Sequence, residues 1–278
     1  MIERLVVTQL VENRAAGPGL LAEHGIAFFI EADGQCLLYD TGQGLALSHN
    51  VRRLQLPMAS VAGIVLSHGH YDHAGGLAQA LALTGPVPVW LHPRALQPRY
   101  NRDGRAIGAP LSDEKALAAI ATELVHTREP AEILPGIHVT GEIPRRHGIE
   151  DTGGPFFLDP ECRHLDPIVD DQALFIETAR GLVVLLGCGH AGVINTLEYV
   201  QQLRGGQPIR AVIGGMHLLH ASPGRLAFTC DRLQQLAPAF LAANHCTGLE
   251  AVCTFRQRFP GSFHSSVTGS RHRFDGGE

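Results

Sequence analysis

A dense run of metal-ligand side chains directly after an apolar strand is the feature that most constrains this chain. Residues 61–66 read Val-Ala-Gly-Ile-Val-Leu, which predicts a short buried strand, and residues 67–77 continue as Ser-His-Gly-His-Tyr-Asp-His-Ala-Gly-Gly-Leu. Four candidate ligands fall within six positions, namely His68, His70, Asp72 and His73. Neutral imidazoles and a carboxylate are the ligands that Zn²⁺ and similar cations prefer. The loop therefore predicts a metal site at the end of a strand.

Single histidines follow three later strands in a similar context. Each comes after an apolar run and a turn containing Gly or a polar residue, the pairs being His190 after 181–186, His217 after 209–213 and His245 after 238–243. Sites in α/β folds are built where strands give way to loops, so together these residues predict one cluster.

Asp40 also follows a predicted strand, at 36–39, and precedes Thr41 and Gly42. Its carboxylate can accept a hydrogen bond from the second ring nitrogen of a ligating histidine and so fix that ring. A turn or helix-capping role explains the same position equally well. Both interpretations stay open at this point.

The remaining sequence alternates short β-rich runs with helical stretches and predicts two similar strand–helix layers in one domain over residues 1–278. Predicted strands cover 2–8, 25–31, 36–39, 61–66, 87–91, 123–127, 136–140, 173–178, 181–186, 209–213 and 238–243. Predicted helices cover 45–55, 75–83, 192–204, 223–236 and 248–258. Two long stretches, 97–111 and 144–170, match neither pattern, and loops of that length are usually functional or mobile. The run 271–273, Arg-His-Arg, is expected to be a solvated tail.

Composition and charge exclude several classes of partner. The net charge is −5 and Lys115 is the only lysine, so the chain lacks the basic surface that captures nucleic acids. Neither a signal peptide nor an apolar run of about 20 residues is present, which predicts a cytoplasmic protein without a membrane partner. The six cysteines form no CxxC pair and are expected to be reduced. Cys188 and Cys246 flank candidate ligands, but a buried cysteine beside glycine is commonly a small apolar residue.

The HxHxDH element with Gly-Gly-Leu after it, the Asp-Thr-Gly at 40–42 and the later strand-end histidines resemble the metallo-β-lactamase superfamily over nearly the whole chain. The resemblance implies an α/β (α+β) fold arranged as a four-layer αββα sandwich, with the metal site at one edge of the two sheets. It also implies two ligand sets: His68, His70 and His190 for the first metal, and Asp72, His73 and His245 for the second. One or two Zn²⁺ are expected, with Mn or Fe as alternatives, and a water between two metals would be the nucleophile. Members of the superfamily often form homodimers.

One position departs from the superfamily pattern. Most members supply a bridging aspartate from a strand end between the third-histidine motif and the last histidine, where this chain has Gly214-Gly215-Met216-His217. Either His217 acts as a ligand or the second metal is held more weakly. Without a bridging carboxylate, Asp72 is the only anionic side chain among these ligands, so the site should favour an anionic substrate. Asp72 and His217 are thus the candidate catalytic residues.

Further motifs are similar to a branch that contains dihydropterin–ribofuranosylaminobenzene phosphate synthases, and they lie at 141–145, 170–174, 187–196, 214–218 and 245–248. This favours a hydrolase or transferase acting on a small phosphoester or pyrophosphate metabolite, with a pterin-related synthase as one form of it. Candidate substrate contacts are Arg145 and Arg146, because paired arginines suit phosphate, and His24 at a strand start. A lactonase or thioesterase and a metal-binding protein without turnover are the alternatives.

Overall fold

Alternate side chains of the first strands point into two different apolar cores. Along one strand, Phe28 and Ile30 face the opposite sheet, whereas Ala27 and Phe29 face helices on the outside. This period of two is the geometry of a strand that is buried on both faces. The computed structural model describes residues 1–276, and its elements follow in chain order.

The first sheet has seven strands and the second has six. The first contains β1 (Arg4–Val11), β2 (Ala27–Ala32), β3 (Gln35–Tyr39), β4 (Val61–Val65), β5 (Pro88–Leu91), β6 (Glu123–His126) and β13 (Arg271–Asp275), in the order β13-β1-β2-β3-β4-β5-β6. The second contains β7 (Ala131–Leu134), β8 (Ile137–Val139), β9 (Leu174–Thr178), β10 (Gly181–Leu186), β11 (Ile209–Gly215) and β12 (Phe240–Asn244), in the order β12-β11-β10-β9-β8-β7.

Helices cover the outer face of each sheet. They are α1 (Leu47–Leu54), α2 (Tyr71–Ala74), α3 (Leu77–Thr84), α4 (Glu114–Ala118), α5 (Val193–Leu203), α6 (Pro223–Leu236) and α7 (Leu249–Arg258). One apolar core lies between the first sheet and α1 and α3, a second between the two sheets, and a third between the second sheet and α5 to α7. The predicted four-layer αββα arrangement is confirmed.

Parallel pairing brings the functional loops to one edge. Strands β3 to β6 pair in parallel in the first sheet, and β10 to β12 do so in the second. The carboxyl ends of parallel strands meet at the same edge of a sheet. The loops that follow β3, β4, β10, β11 and β12 carry Asp40, the HxHxDH element, His190, His217 and His245 respectively.

The run Arg271-His272-Arg273 is not a solvated tail, as the sequence suggested. It lies in β13, which pairs antiparallel with β1, and Phe274 of the same strand is buried in the core between the sheets. The outer edge of β1 would otherwise expose unpaired backbone groups, and β13 satisfies them. Polar side chains on the outer face of an edge strand gave this segment the composition of a tail.

The structure also bears on the predictions about the cysteines and about a membrane-spanning segment. All six cysteines are free thiols. Within residues 1–276, no helix combines the length and the apolar character needed to cross a membrane. The cytoplasmic location and the extent of the domain stay predictions.

Candidate metal centre

The HxHxDH element leaves the end of β4 and turns into α2, with all four of its ligand side chains buried. Its backbone is fixed from outside the loop, since Gly69 N donates to Asp170 Oδ2 at 2.9 Å and Tyr71 N donates to the carbonyl oxygen of Ile107 at 2.9 Å. The loop is therefore anchored before any ligand binds.

Hydrogen bonds orient His68 and His73 from behind. Asp40 Oδ2 accepts from His73 Nδ1 at 2.7 Å and from Ser67 Oγ at 2.6 Å. Because the Ser67 hydroxyl donates its proton to Asp40, its oxygen accepts from His68 Nδ1, 2.9 Å away. Both rings thus carry a proton on Nδ1 and present Nε2 to the cluster, which is how a carboxylate prepares a histidine for a metal.

The same arrangement holds for the two later histidines. His190 Nδ1 donates to the carbonyl oxygen of Thr152 at 2.7 Å, and His245 Nδ1 donates to Asn13 Oδ1 at 2.9 Å. Each ring therefore turns its Nε2 toward the cluster.

The ring nitrogens and Asp72 converge on two neighbouring points. His68 Nε2 lies 3.0 Å from His70 Nδ1, and the His190 ring centroid is 4.8 Å from that of His68. Asp72 Oδ2 lies 3.3 Å from His245 Nε2 and 3.7 Å from His73 Nε2. The structure thus brings these six residues close to one another, and their division between two metals stays a prediction.

Burial makes these residues suitable for a cation. It lowers the pKa of His68, His70 and His190 well below the usual range, so their rings are neutral and can donate a lone pair. Within the described residues, the buried atoms His70 Nε2 and His190 Nε2 have no hydrogen-bond partner. An unpaired buried nitrogen is costly unless a ligand satisfies it, so the donor set fits a divalent metal.

The residues predicted for the second metal, Asp72, His73 and His245, include groups of opposite charge. Burial by itself raises the pKa of Asp72, but the histidines around it, His73 above all, hold that pKa well below its usual value. For His73, burial opposes the charged form, yet Asp72 and Asp40 raise the pKa to about 9. A cation at His73 Nε2 would therefore compete with a proton.

Three residues of the site have a left-handed backbone. Their φ angles are 59° for Asp40, 43° for His217 and 51° for His245, a region that residues other than glycine rarely adopt. Such conformations cost free energy and persist where the surrounding structure enforces them, which is common at functional sites. The three strand ends are held in the geometry that aims these side chains inward.

A cavity of about 710 Å³ lies above the two groups. Parts of the two stretches without a predicted helix or strand, 97–111 and 144–170, form its walls. The walls pair through two backbone hydrogen bonds: Tyr100 N donates to the carbonyl oxygen of Phe157 at 2.8 Å, and Phe157 N donates to that of Tyr100 at 2.9 Å. Buried Arg99 joins the two wall segments, since it pairs with Asp166 at 2.9 Å and with Asp170 at 2.6 Å. Asp170 also accepts from Gly69 N of the HxHxDH element, so the same contacts tie the walls to that element.

The predicted substrate residues divide into two sets. His24 lines the cavity, with Nε2 3.2 Å from Asp72 Oδ2, and His217 lines it beside His190, with ring centroids 4.3 Å apart. Arg145 and Arg146 are outside this lining: their guanidinium groups bond to the carbonyl oxygens of residues 167 and 168 and to Gln202 respectively. The arginine in the lining is Arg102, which is exposed.

Sequence reasoning also missed several residues of the site. Cys188 was interpreted as a small apolar residue, but its Sγ lies 3.1 Å from His73 Nε2, and its position two residues before His190 was the available signal. Asn13, which orients His245, follows a strand and had no distinguishing pattern. Phe156 lies over the rings of His70 and His190, with centroids 5.1 and 5.3 Å away, and Gly153 is required beside it because a Cβ there would overlap the His217 ring.

Asp171 supports the His190 loop and provides a pH-dependent prediction. Its Oδ2 accepts from Ala191 N at 2.7 Å, and burial raises its pKa to about 7. An unfolded Asp titrates near pH ~3.9, so the folded protein holds this proton more tightly and loses stability as the pH rises from about 4 to about 7. Asn cannot ionise and can still accept from Ala191. We therefore expect Asp171→Asn to gain at least about 2 °C in melting temperature relative to wild type between pH 5 and pH 8.

The measurement is thermal unfolding of the chelator-treated protein at the two pH values. Asp103→Asn, at an exposed position, is the control and should follow the wild-type profile. A difference between Asp171→Asn and wild type that is constant with pH would contradict the assignment.

Comparison with known proteins identifies the family. A sequence model of the metallo-beta-lactamase superfamily matches residues 23–165, slightly more than half of the chain. The chain belongs to the metallo-β-lactamase superfamily. An uncharacterized protein of Methanocaldococcus jannaschii is 32% identical over 251 residues, which cover 89% of this chain and 93% of the relative.

Two further proteins match this chain almost end to end. The 7,8-dihydropterin-6-methyl-4-(beta-D-ribofuranosyl)-aminobenzene-5'-phosphate synthase of M. jannaschii is 28% identical over 290 residues, with 98% of each chain covered. A solved structure described as a metal-dependent hydrolase of the beta-lactamase superfamily superposes with a TM-score of 0.83 at 28% identity, covering 98% of this chain and 99% of the other. The resemblance predicted from the HxHxDH element is confirmed.

Proposed function

We propose that this protein is a metal-dependent hydrolase or transferase that acts on a small phosphoester or pyrophosphate with an apolar or aromatic part. The observation that carries the proposal is the combination in one cavity of two histidine-rich donor sets, an exposed arginine and an aromatic wall. A site of this kind can hold a cation, bind an anion and accept a flat apolar group.

The chain's own residues divide the work. His68, His70 and His190 would hold one cation, and Asp72, His73 and His245 would hold a second. A bound divalent ion supplies a polarised substrate bond and an activated water. His24 lies beside Asp72 at the cavity wall, its hydrogen bond to that carboxylate raises its pKa, and its ring can donate a hydrogen bond to negative charge on the substrate.

Charge in the cavity favours an anion. Asp72 is the carboxylate among the six predicted ligands of the two sets, and two divalent cations exceed its single negative charge. Arg102 lines the cavity, and a guanidinium can form forked hydrogen bonds with a phosphate. The name of the M. jannaschii synthase describes a product with a pterin and a phosphate, a combination that Arg102 and Phe156 could accommodate here.

A second candidate function rests on the apolar part of the cavity lining. Ile107, Pro155, Phe156 and Leu219 also line it, and an apolar lining suits the acyl chain of a lactone or thioester. A protein that binds metal without turnover is the third outcome that an assay must separate.

The test compares phosphoesters, pyrophosphate esters, lactones and thioesters with the metal-loaded and the chelated protein. We expect turnover of the phosphorus esters, and we expect Arg102→Ala to raise KM for them by about tenfold or more, because a hydrogen bond to a charged group contributes roughly 1.5–3 kcal/mol. Arg105→Ala, an exposed arginine of the same loop outside the lining, is the matched control. Preference for lactones or thioesters would support the second candidate, and metal binding without any turnover would support the third.

A further inference from the structure

The side chain of Cys188 occupies the centre of the donor cluster. Its Sγ lies within 4.8 Å of donor atoms of His68 and His190 in one group, and of His73 and His245 in another. Its distance to His73 Nε2 is 3.1 Å. The cysteine is buried, on the loop between β10 and α5.

Distances of this size are those between ligands of a common ion. Zn–S bonds are about 2.3 Å and Zn–N bonds about 2.0–2.1 Å, which places the two ligand atoms about 3.6 Å apart in a tetrahedron. The sulfur therefore lies close enough to residues of both predicted metal positions to share an ion with either set.

The end of β11, where the superfamily pattern implies an aspartate, offers no carboxylate to the donor cluster. The superfamily pattern implies a bridging aspartate in this region, but a Cβ on Gly215 would overlap the carbonyl oxygen of Gly187 and lie 2.7 Å from Cys246 Sγ. No side chain fits at that position, so the carboxylate cannot come from Gly215. His217, the alternative from the sequence, groups with Cys188 and Cys246 instead of with Asp72 and His73.

We propose that Cys188 provides, as a thiolate, the ligand shared by the two metal positions in place of the bridging aspartate. The proposal rests on the metal-dependent function proposed above. Metal binding would release the thiol proton to solvent and form the metal–sulfur bonds. The thiolate adds a second negative charge to that of Asp72, so two divalent cations are neutralised more fully than by the carboxylate alone.

The experiment loads the metal-free protein with Co²⁺ and records stoichiometry and the near-ultraviolet charge-transfer absorption that a thiolate ligand gives. Wild type, Cys246→Ser and His217→Ala should bind two ions and show the band. Cys188→Ser and Cys188→Ala should lose the band and bind at least one ion about 10–100-fold more weakly. Circular dichroism checks that each variant is folded.

X-ray absorption of the wild type loaded with two Zn²⁺ tests the bridge without any variant. A shared sulfur gives one sulfur neighbour per zinc at about 2.3 Å, whereas a sulfur on a single ion gives half of one on average. Half a sulfur, no sulfur, a band lost only in Cys246→Ser, or a second ion that depends only on His217 would each overturn the proposal. Two ions bound without sulfur in an active enzyme would leave the proposed function standing, whereas failure to bind Co²⁺ or Zn²⁺ would overturn both.

Discussion

Replacing His70 with alanine is expected to remove the metal of the first position and to lower turnover at least about 10³-fold. The ring belongs to the group formed with His68 and His190, and it is buried with Nδ1 3.0 Å from His68 Nε2. Alanine leaves two ligands of that group, and a metal contributes several kcal/mol to transition-state stabilisation, where each ~1.4 kcal/mol is tenfold in rate. His68→Ala should behave in the same way.

Elemental analysis and turnover, measured on the same samples, check this result. His126→Ala is the matched control, because His126 is an exposed histidine that pairs with exposed Glu114 at 3.3 Å. It should keep the wild-type metal content and rate. Full activity in His70→Ala with unchanged metal content would refute the first-position assignment.

Replacing Arg99 with methionine is expected to lower the free energy of unfolding by about 3–5 kcal/mol, the cost of leaving buried charges without a partner. Arg99 is only 1% exposed, and its guanidinium lies between Asp166 at 2.9 Å and Asp170 at 2.6 Å. Methionine keeps much of the side-chain length, so the change reports mainly on charge. Because Asp170 also accepts from Gly69, activity should fall as well.

Urea unfolding of the metal-free protein gives this free energy. Arg102→Met, three positions along the same segment but exposed, should change it by less than about 0.5 kcal/mol. Adding Asp166→Asn and Asp170→Asn to Arg99→Met should recover part of the loss, because the uncompensated negative charges disappear. A loss below about 1 kcal/mol for Arg99→Met would mean that the ion pairs do not hold the walls.

The positions of the candidate metal ligands could be predicted because they depend on local sequence. Apolar strands followed by histidines predict where parallel strands end. Parallel pairing of β10 to β12 aligns His190 and His245 at one edge, and packing of the two sheets brings His68 to them. Periodicity also located most strands and helices. It missed β7 and α4, which are short and only partly buried, and it missed β13, whose polar outer face conceals a buried Phe274.

The substrate side could not be predicted because loop conformation depends on contacts between distant segments. Arg145 and Arg146 have the composition of a phosphate site, yet their backbone carries them away from the cavity. Tyr100 and Phe157 are far apart in sequence, and only their pairing brings Arg102 and Phe156 into the lining of one cavity. No sequence pattern within 97–111 or 144–170 predicts that these two segments pair.

The pairing of the two wall segments has a consequence for how this protein could diversify. The candidate metal ligands lie at the strand ends, while residues 99–107 and 151–157 line the opening and are held by the Tyr100–Phe157 pairing, by Tyr71 N donating to the carbonyl oxygen of Ile107 and by the Arg99 ion pairs. Related proteins could therefore differ in the tips of these segments, and so in substrate selectivity, while keeping the same candidate metal site. Laboratory libraries confined to Arg102, Asp103 and residues 154–156 would sample new selectivity at little risk to folding.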